Sequence, residues 1–392
     1  MTTGRALGSV LVGLDAREVR ITATATPCDP SARTLTIRGL PEAAERETRI
    51  RVASALAFDS HACAVTIEGL PPGASAASLD LAIAAACLRA IDALADEGSP
   101  LRFDPAIPLV GELALDGTVR SVRGAPCHAR QCAAIVLPEA NAAECDLEGP
   151  LVWPVRRLSD LCARVEPREP GGPVAWSPAP PRRDSSDALR GARHRAAAQR
   201  LAAGGRFLLV GPPGSGKTAI ARAAAELLPP LERGEATEVT RIHGVAGLLQ
   251  GAPATARPFR APHHTVSDAG LVGGGESPRP GEATLAHGGT LMLDELPEFR
   301  QGAIHALASV LRDGRAVVMR RGEVAGFPAR PALVVATANP CPCGHHGTPR
   351  GCRCSDAAIA RWGARLAETA ARLGLERIEV PALTVEELAV SP

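Results

Sequence analysis

The chain reads as an α/β protein in which a doubly wound parallel sheet carries a phosphate-binding loop, with a separate α+β region ahead of it. Three observations predict this. An apolar run at 207–210 leads straight into Gly211-Pro-Pro-Gly-Ser-Gly-Lys-Thr218 and then into an Ala/Arg-rich helix former. Beyond that octet, β-type runs at 290–293, 316–319 and 332–336 alternate with a helical stretch at about 302–311, an order that gives parallel strands with ligand at their C-terminal ends. Between the two regions, 166–184 is rich in Pro and Gly and has no periodicity, as in a semi-stiff linker.

Taken in order, residues 7–14, 19–25 and 34–37 read as strands, and Pro41 opens a helix through residue 57. A strand follows at 62–67, then a strongly apolar helix at 77–94. Asp116-Gly117 between Leu113 and Val119 is a hairpin signal of the type I′ class, and the run at 135–137 is expected to close the sheet. After the linker, Ser185, Ser186 or Asp187 can cap a helix over about 188–203 that delivers the chain to the phosphate-loop strand.

Composition bounds the rest. Lys+Arg 43 against Asp+Glu 42 gives a formal charge of +1, so no global field argues for nucleic acid or membrane. The N-terminus has no extended apolar segment and no run of eighteen apolar residues occurs, so a cytoplasmic protein without membrane contact is expected. Eleven cysteines, an odd count in a long chain, point to reduced thiols and a metal rather than a disulfide framework.

The octet Gly211, Pro212, Pro213, Gly214, Ser215, Gly216, Lys217 and Thr218 fits G-x-x-x-x-G-K-[ST]. Its loop turns backbone N–H groups toward an anion, Lys217 reaches the β/γ-phosphates of ATP, and the Thr218 hydroxyl suits Mg²⁺. Lys217 is the only lysine in the chain, placed where a compact ammonium serves better than a planar fork. The strand at 290–293 exits into Asp294 and Glu295, which puts one carboxylate beside Mg²⁺ and the next where it can activate water. Asn339, one of two asparagines, follows the strand at 332–336 and suits an amide sensor of the γ-phosphate or the lytic water; a turn asparagine before Pro340 is the alternative. Cys341, Cys343, Cys352 and Cys354 form two C-x-C pairs that could close a tetrahedral Zn²⁺ site. Arg257, Arg260, His263, His264 and Arg320-Arg321 read either as ring-pore loops touching a phosphate backbone or as a solvated surface cluster.

Several strings carry a family likeness. Arg257-Pro-Phe-Arg-Ala-Pro-His-His-Thr265, Leu293-Asp-Glu-Leu-Pro-Glu-Phe299 and Asn339-Pro-Cys-Pro-Cys-Gly344, with Gly39-Leu-Pro-Glu-Ala43 and Leu137-Pro-Glu-Ala-Asn-Ala-Ala-Glu144 upstream, resemble the Mg-chelatase-like AAA+ ATPases of the ComM (YifB) type. The resemblance covers about residues 5–383 and implies a ribosomal-S5/Lon-protease-like domain at 1–165, a linker at 166–185 and an AAA+ module at 186–392. It implies a hexameric ring that couples ATP hydrolysis to DNA branch migration in recombination or transformation. An ATP-binding regulator with weak turnover, or a magnesium-chelatase motor subunit, are the alternatives. Residues 1–165 contain no lysine, so a Ser-Lys peptidase dyad is excluded and a binding or assembly role is expected. The family pattern S-G-P-L-L-D-R-I-D, which holds an arginine acting across the subunit interface, is blurred here. Without gaps its arginine falls on Leu373, beside Arg372; in a shifted register Arg377 takes the place. The family's helical lid is also expected to be absent after Pro392, so weak turnover, and rings formed poorly alone or with a full-length homologue, are anticipated.

Overall fold

The computed structural model describes residues 1–29, 34–56, 61–94, 101, 103–147, 149–163, 165–169, 189, 191–275, 278–320, 323–348, 350–384 and 387. Strands β1 (Thr2–Val12) and β2 (Asp15–Pro27) form a long antiparallel hairpin. After β3 (Leu35–Arg38) and helix α1 (Glu42–Leu56), strand β4 (His61–Glu68) inserts between β2 and β3, giving the order β1-β2-β4-β3 with only β3 and β4 parallel. Along β2 the buried side chains alternate, Val19, Ile21, Ala23 and Ala25 facing one side. That side is covered by α2 (Asp80–Asp92), entered through a 3₁₀ turn (Ala77–Leu79), whose small Ala-rich surface lets backbones approach closely. A Cβ on Gly4 would lie 2.2 Å from the Ala86 carbonyl oxygen, so this strand can meet the helix only as glycine.

Two short pairings follow. The hairpin β5 (Glu112–Leu113) and β6 (Val119–Arg120) turns as predicted but not as type I′. Only Gly117 has a positive φ (80°), and its N–H bonds Ala114 at 3.1 Å, which is a type I turn closed by a left-handed glycine. After α3 (Ala125–Ala129), strand β7 (Ala134–Pro138) does not close the first sheet. It pairs in parallel with β8 (Leu151–Val155) across α4 (Glu139–Ala142), because the intervening helix brings the chain back in the same direction. Most of the predicted linker at 166–184, and the caps Ser185, Ser186 and Asp187, lie outside the described residues.

The second sheet is built from β9 (Gly205–Val210), β10 (Phe259–Arg260), β11 (Thr290–Leu293), β14 (Leu333–Ala338) and β15 (Glu376–Glu379). Its order is β10-β11-β14-β9-β15 and every pairing is parallel. Helix α5 (Ala192–Leu201) leads into β9, and between the strands run α6 (Lys217–Leu227), α7 (Arg233–Ala246), α8 (Asp268–Val272), α9 (Glu282–Leu285), α10 (Gln301–Asp313) and α11 (Asp356–Leu373). Side chains alternate across the sheet. Leu208, Val210, Leu291, Leu293, Val334 and Ala336 share one core with α10 and α11. Phe207, Leu209, Met292, Leu333 and Val335 share another with α5 and α6, so both faces are covered, as in a doubly wound fold. The run at 316–319 is not part of this sheet: it lies in β12 (Arg315–Arg320), hairpinned antiparallel to β13 (Glu323–Pro328). No helix among the described residues is long and apolar enough to cross a membrane.

The two regions meet through α3, α7 and the β12–β13 hairpin. Gly124 N–H donates to the Gly244 carbonyl at 2.9 Å, Arg241 donates to the Leu14 carbonyl at 3.3 Å, and Leu14 and Cys127 are buried in the same core as Leu293.

Candidate nucleotide-binding site

The octet sits where the sequence puts it, between the end of β9 and the first turn of α6. Gly214 and Gly216 take left-handed φ values of 77° and 81°, turning successive N–H groups inward. At Gly211 a Cβ would lie 2.1 Å from the Val380 carbonyl oxygen, so the chain leaving β15 closes on the loop only because glycine is there. His194 of α5 is buried and its Nε2 donates to the Ser215 carbonyl at 2.7 Å, fixing the loop from behind. Lys217 Nζ donates to the carbonyls of Gly211 (2.8 Å) and Pro212 (2.9 Å) and lies 3.5 Å from Asn339 Oδ1. Burial pushes the Lys217 ammonium below its ordinary value, and the Asp294 and Glu295 carboxylates push back.

Parallel register brings the acids beside the sensor strand. Leu293 of β11 stands opposite Ala336 of β14, so Asp294 emerges next to Thr337. The Thr337 hydroxyl donates to Asp294 Oδ1 at 2.5 Å and accepts from the Glu295 N–H at 3.0 Å. Glu295 has φ 57°, the only positive value at a non-glycine residue among those described, a conformation worth roughly 1–3 kcal/mol of strain. His264 Nδ1 lies 3.8 Å from Glu295 Oε2, its ring stacked on His263 with centroids 4.0 Å apart. Asn339 is held from outside the sheet: Trp362 of α11 donates its indole N–H to the Asn339 carbonyl at 2.9 Å.

The arginines are distributed differently from expectation. Arg257 and Arg260 are not free to face a phosphate backbone: Arg257 binds Glu235 at 2.8 Å and three backbone carbonyls, and Arg260 pairs bidentately with Glu282 at 2.6 and 2.7 Å. Arg320 enters the β12–β13 turn and Arg321 lies outside the described residues. Arg372, at the end of α11, bonds His305 and Glu368; Arg377, on β15, bonds Glu379 at 2.7 Å. Leu373, the ungapped family position, is buried. A cleft of about 1110 Å³ beside the loop is lined by His194, Gly211, Pro212, Ile220, Arg377 and Val380 among others. The four thiols Cys341, Cys343, Cys352 and Cys354 gather directly after Asn339-Pro340, with Sγ atoms all within 4.8 Å of one another.

Thr337, His194 and Trp362 carried no sequence signal of their own, because each acts through a partner brought in by strand register or helix docking. A parallel five-stranded sheet with a phosphate loop, paired acids and an asparagine at its C-terminal edge defines a P-loop protein of the AAA+ class. A family model described as magnesium chelatase, subunit ChlI matches residues 186–388, and one described as subunit ChlI of Mg-chelatase matches residues 26–141. The chain is 39% identical over 386 residues to the uncharacterized protein Rv2897c of Mycobacterium tuberculosis, covering 93% of this chain and 74% of that one. It is 36% identical over 329 residues to YifB of Escherichia coli (80% and 63% covered) and 34% over 333 residues to competence protein ComM of Haemophilus influenzae (79% and 64% covered). Among solved structures, NtrX from Brucella abortus in complex with ATP aligns with 49% of this chain and 36% of its own at TM-score 0.32 and 21% identity, a likeness too slight to carry weight. The chain belongs to the magnesium-chelatase-like ComM (YifB) family.

Proposed function

We propose that the chain is an ATP-hydrolysing subunit of a hexameric ring that remodels DNA, with branch migration in recombination or transformation as its work. The observation that carries the ATPase reading is the convergence of Lys217, Asp294, Glu295 and Asn339 at the ends of three adjacent parallel strands. The residues fit a triphosphate: left-handed glycines, the N-terminus of an 11-residue helix and a half-buried ammonium all favour bound anion. Thr218 and Asp294 would hold Mg²⁺, which when bound offsets charge on the β- and γ-oxygens. Lys217 would exchange its two carbonyl partners for phosphate oxygens, Glu295 would accept a proton from water, and Asn339 would orient that water or the γ-phosphate. Residues 1–165 would serve as a binding or assembly module, joined through 166–185 to the ATPase module at 186–392. The DNA part draws on the relative named a competence protein.

ATP turnover measured with and without branched DNA tests both parts. DNA-stimulated hydrolysis, with ATP binding abolished in Lys217→Ala, is expected; robust hydrolysis indifferent to every DNA tried would remove the DNA role. A second reading, a ring component that binds ATP and turns over weakly, is favoured by buried Leu373 and by the pairing of Arg372 and Arg377 within their own chain. Tight ATP binding without turnover would select it.

A further inference from the structure

We propose that Cys341, Cys343, Cys352 and Cys354 hold one structural Zn²⁺, and that this metal loop sets the position of Asn339 against the phosphate loop. None of the four is in a disulfide. The Sγ separations are 3.5 Å (Cys341 to Cys343), 3.6 Å (Cys341 to Cys352) and 3.6 Å (Cys343 to Cys352). Four thiolates around zinc at about 2.3 Å stand about 3.8 Å apart, so these three sulfurs already describe one face of the tetrahedron to within a few tenths of an ångström, and Cys354 Sγ lies within 4.8 Å of all three. Backbone N–H groups point at the sulfurs as they do around metal thiolates, His346 N–H at 3.3 Å from Cys341 Sγ and Cys354 N–H at 3.4 Å from Cys352 Sγ.

Apart from short turn hydrogen bonds such as Gly344 N–H to the Cys341 carbonyl at 2.9 Å, the loop has little packing to hold its shape. Gly344, Gly347 and Gly351 take left-handed φ values of 81°, 74° and 73°, turning the chain back on itself within eleven residues. Yet no hydrophobic side chain of residues 342–355 is buried among those described; only Cys341, at the loop's start, reaches the interior. A folded turn without a core needs a cross-link, and a closed four-thiol site supplies one.

The loop's place in the site gives the metal a task. Cys341 follows Asn339 by two residues, and at Gly344 a Cβ would lie 2.8 Å from Pro213 of the phosphate loop. Gly344 of the thiol loop thus lies against both Pro213 of the phosphate loop and the Asn339 side chain, where a Cβ would stand 3.7 Å from Asn339 Cγ. Soft thiolate ligands in a closed tetrahedron select zinc over the magnesium of the nucleotide site.

The metal site stands apart from the ATPase reading; the link to Asn339 rests on it. Elemental analysis of the full chain, purified without chelator, should find about one zinc per molecule, lost in Cys352→Ser/Cys354→Ser and kept in His345→Ala and His346→Ala. Cobalt-loaded protein should show the visible spectrum of a tetrahedral four-thiolate centre, whether or not the serine variant folds. Hydrogen exchange at residues 337–346 should quicken on removing zinc with a mercurial and a chelator. Protein that stays metal-free after growth in zinc, iron in place of zinc, disulfides among the four thiols, or a cobalt spectrum with nitrogen ligation would each overturn the zinc site. Zinc present with unchanged exchange at 337–346 would overturn the link to Asn339 while leaving the ATPase reading intact.

Discussion

At the residue scale the site depends on one carboxylate held in an unfavourable backbone conformation. Glu295 is kept at φ 57° by the Thr337 hydroxyl, which accepts its N–H and ties it to Asp294. Glu295→Gln retains shape and loses the base, so ATP binding should persist while turnover falls roughly 10²–10⁴-fold in a steady-state assay. Thr337→Val keeps the volume but strips Glu295 N–H and Asp294 of their shared partner. Leaving a polar group unpaired costs about 1–3 kcal/mol, and a lower melting temperature together with slower turnover is expected; unchanged values would show the bridge to be idle. Lys217, Asp294, Glu295 and Asn339 were legible in the sequence because their order follows strand, loop and helix along the chain. Thr337 was not: in sequence it is the residue just past a β-type run, and only the register of β11 against β14 gives it a task. Arg257 and Arg260 misled for the converse reason, since an arginine's ion-pair partner tens of residues away is invisible in one dimension.

At the scale of elements, β9, β11 and β14 of the parallel sheet were readable from apolar runs; two-residue β10 was not, and neither was β15, with three charged residues out of four. It joins the sheet through backbone bonds to β9 at the edge, where polar side chains are tolerated. This placement bears on the arginine that would act between subunits. Arg377 lines the cleft of its own phosphate loop, and Arg372 ends α11 paired with Glu368. An interfacial arginine is worth about 10³–10⁵ in rate. Slow hydrolysis by the chain alone is therefore expected, with Arg372→Ala and Arg377→Ala each within about twofold of it. A fall of three decades in either variant, read by phosphate release, would identify that arginine as the interfacial one.

Across the whole molecule, the helix α3 ties both regions together, and it contains a buried titratable group. His128 shares a 2.9 Å hydrogen bond with Ser9 of β1, and burial pushes its imidazole down to about 3. The unfolded chain protonates this ring near pH 6.5 while the folded chain resists until about 3, so acidification through that window favours unfolding. The slope is at most about 1.4 kcal/mol per pH unit from this one group. Urea midpoints measured between pH 7 and pH 4 should fall less steeply in His128→Asn than in the parent; parallel slopes would mean that the ring is not protected in the folded state. The docking of the two regions was not legible in advance, because it rests on paired glycines, Gly124 against Gly244, whose only signal is the absence of a side chain.

The half-buried Lys217 has a chemical consequence. With no other lysine in the chain, an acylating reagent aimed at amines has one side-chain nitrogen to find, Lys217 Nζ. Burial favours the neutral, nucleophilic form of that amine, so a covalent tag there becomes a mass-spectrometric gauge of whether the phosphate loop is covered.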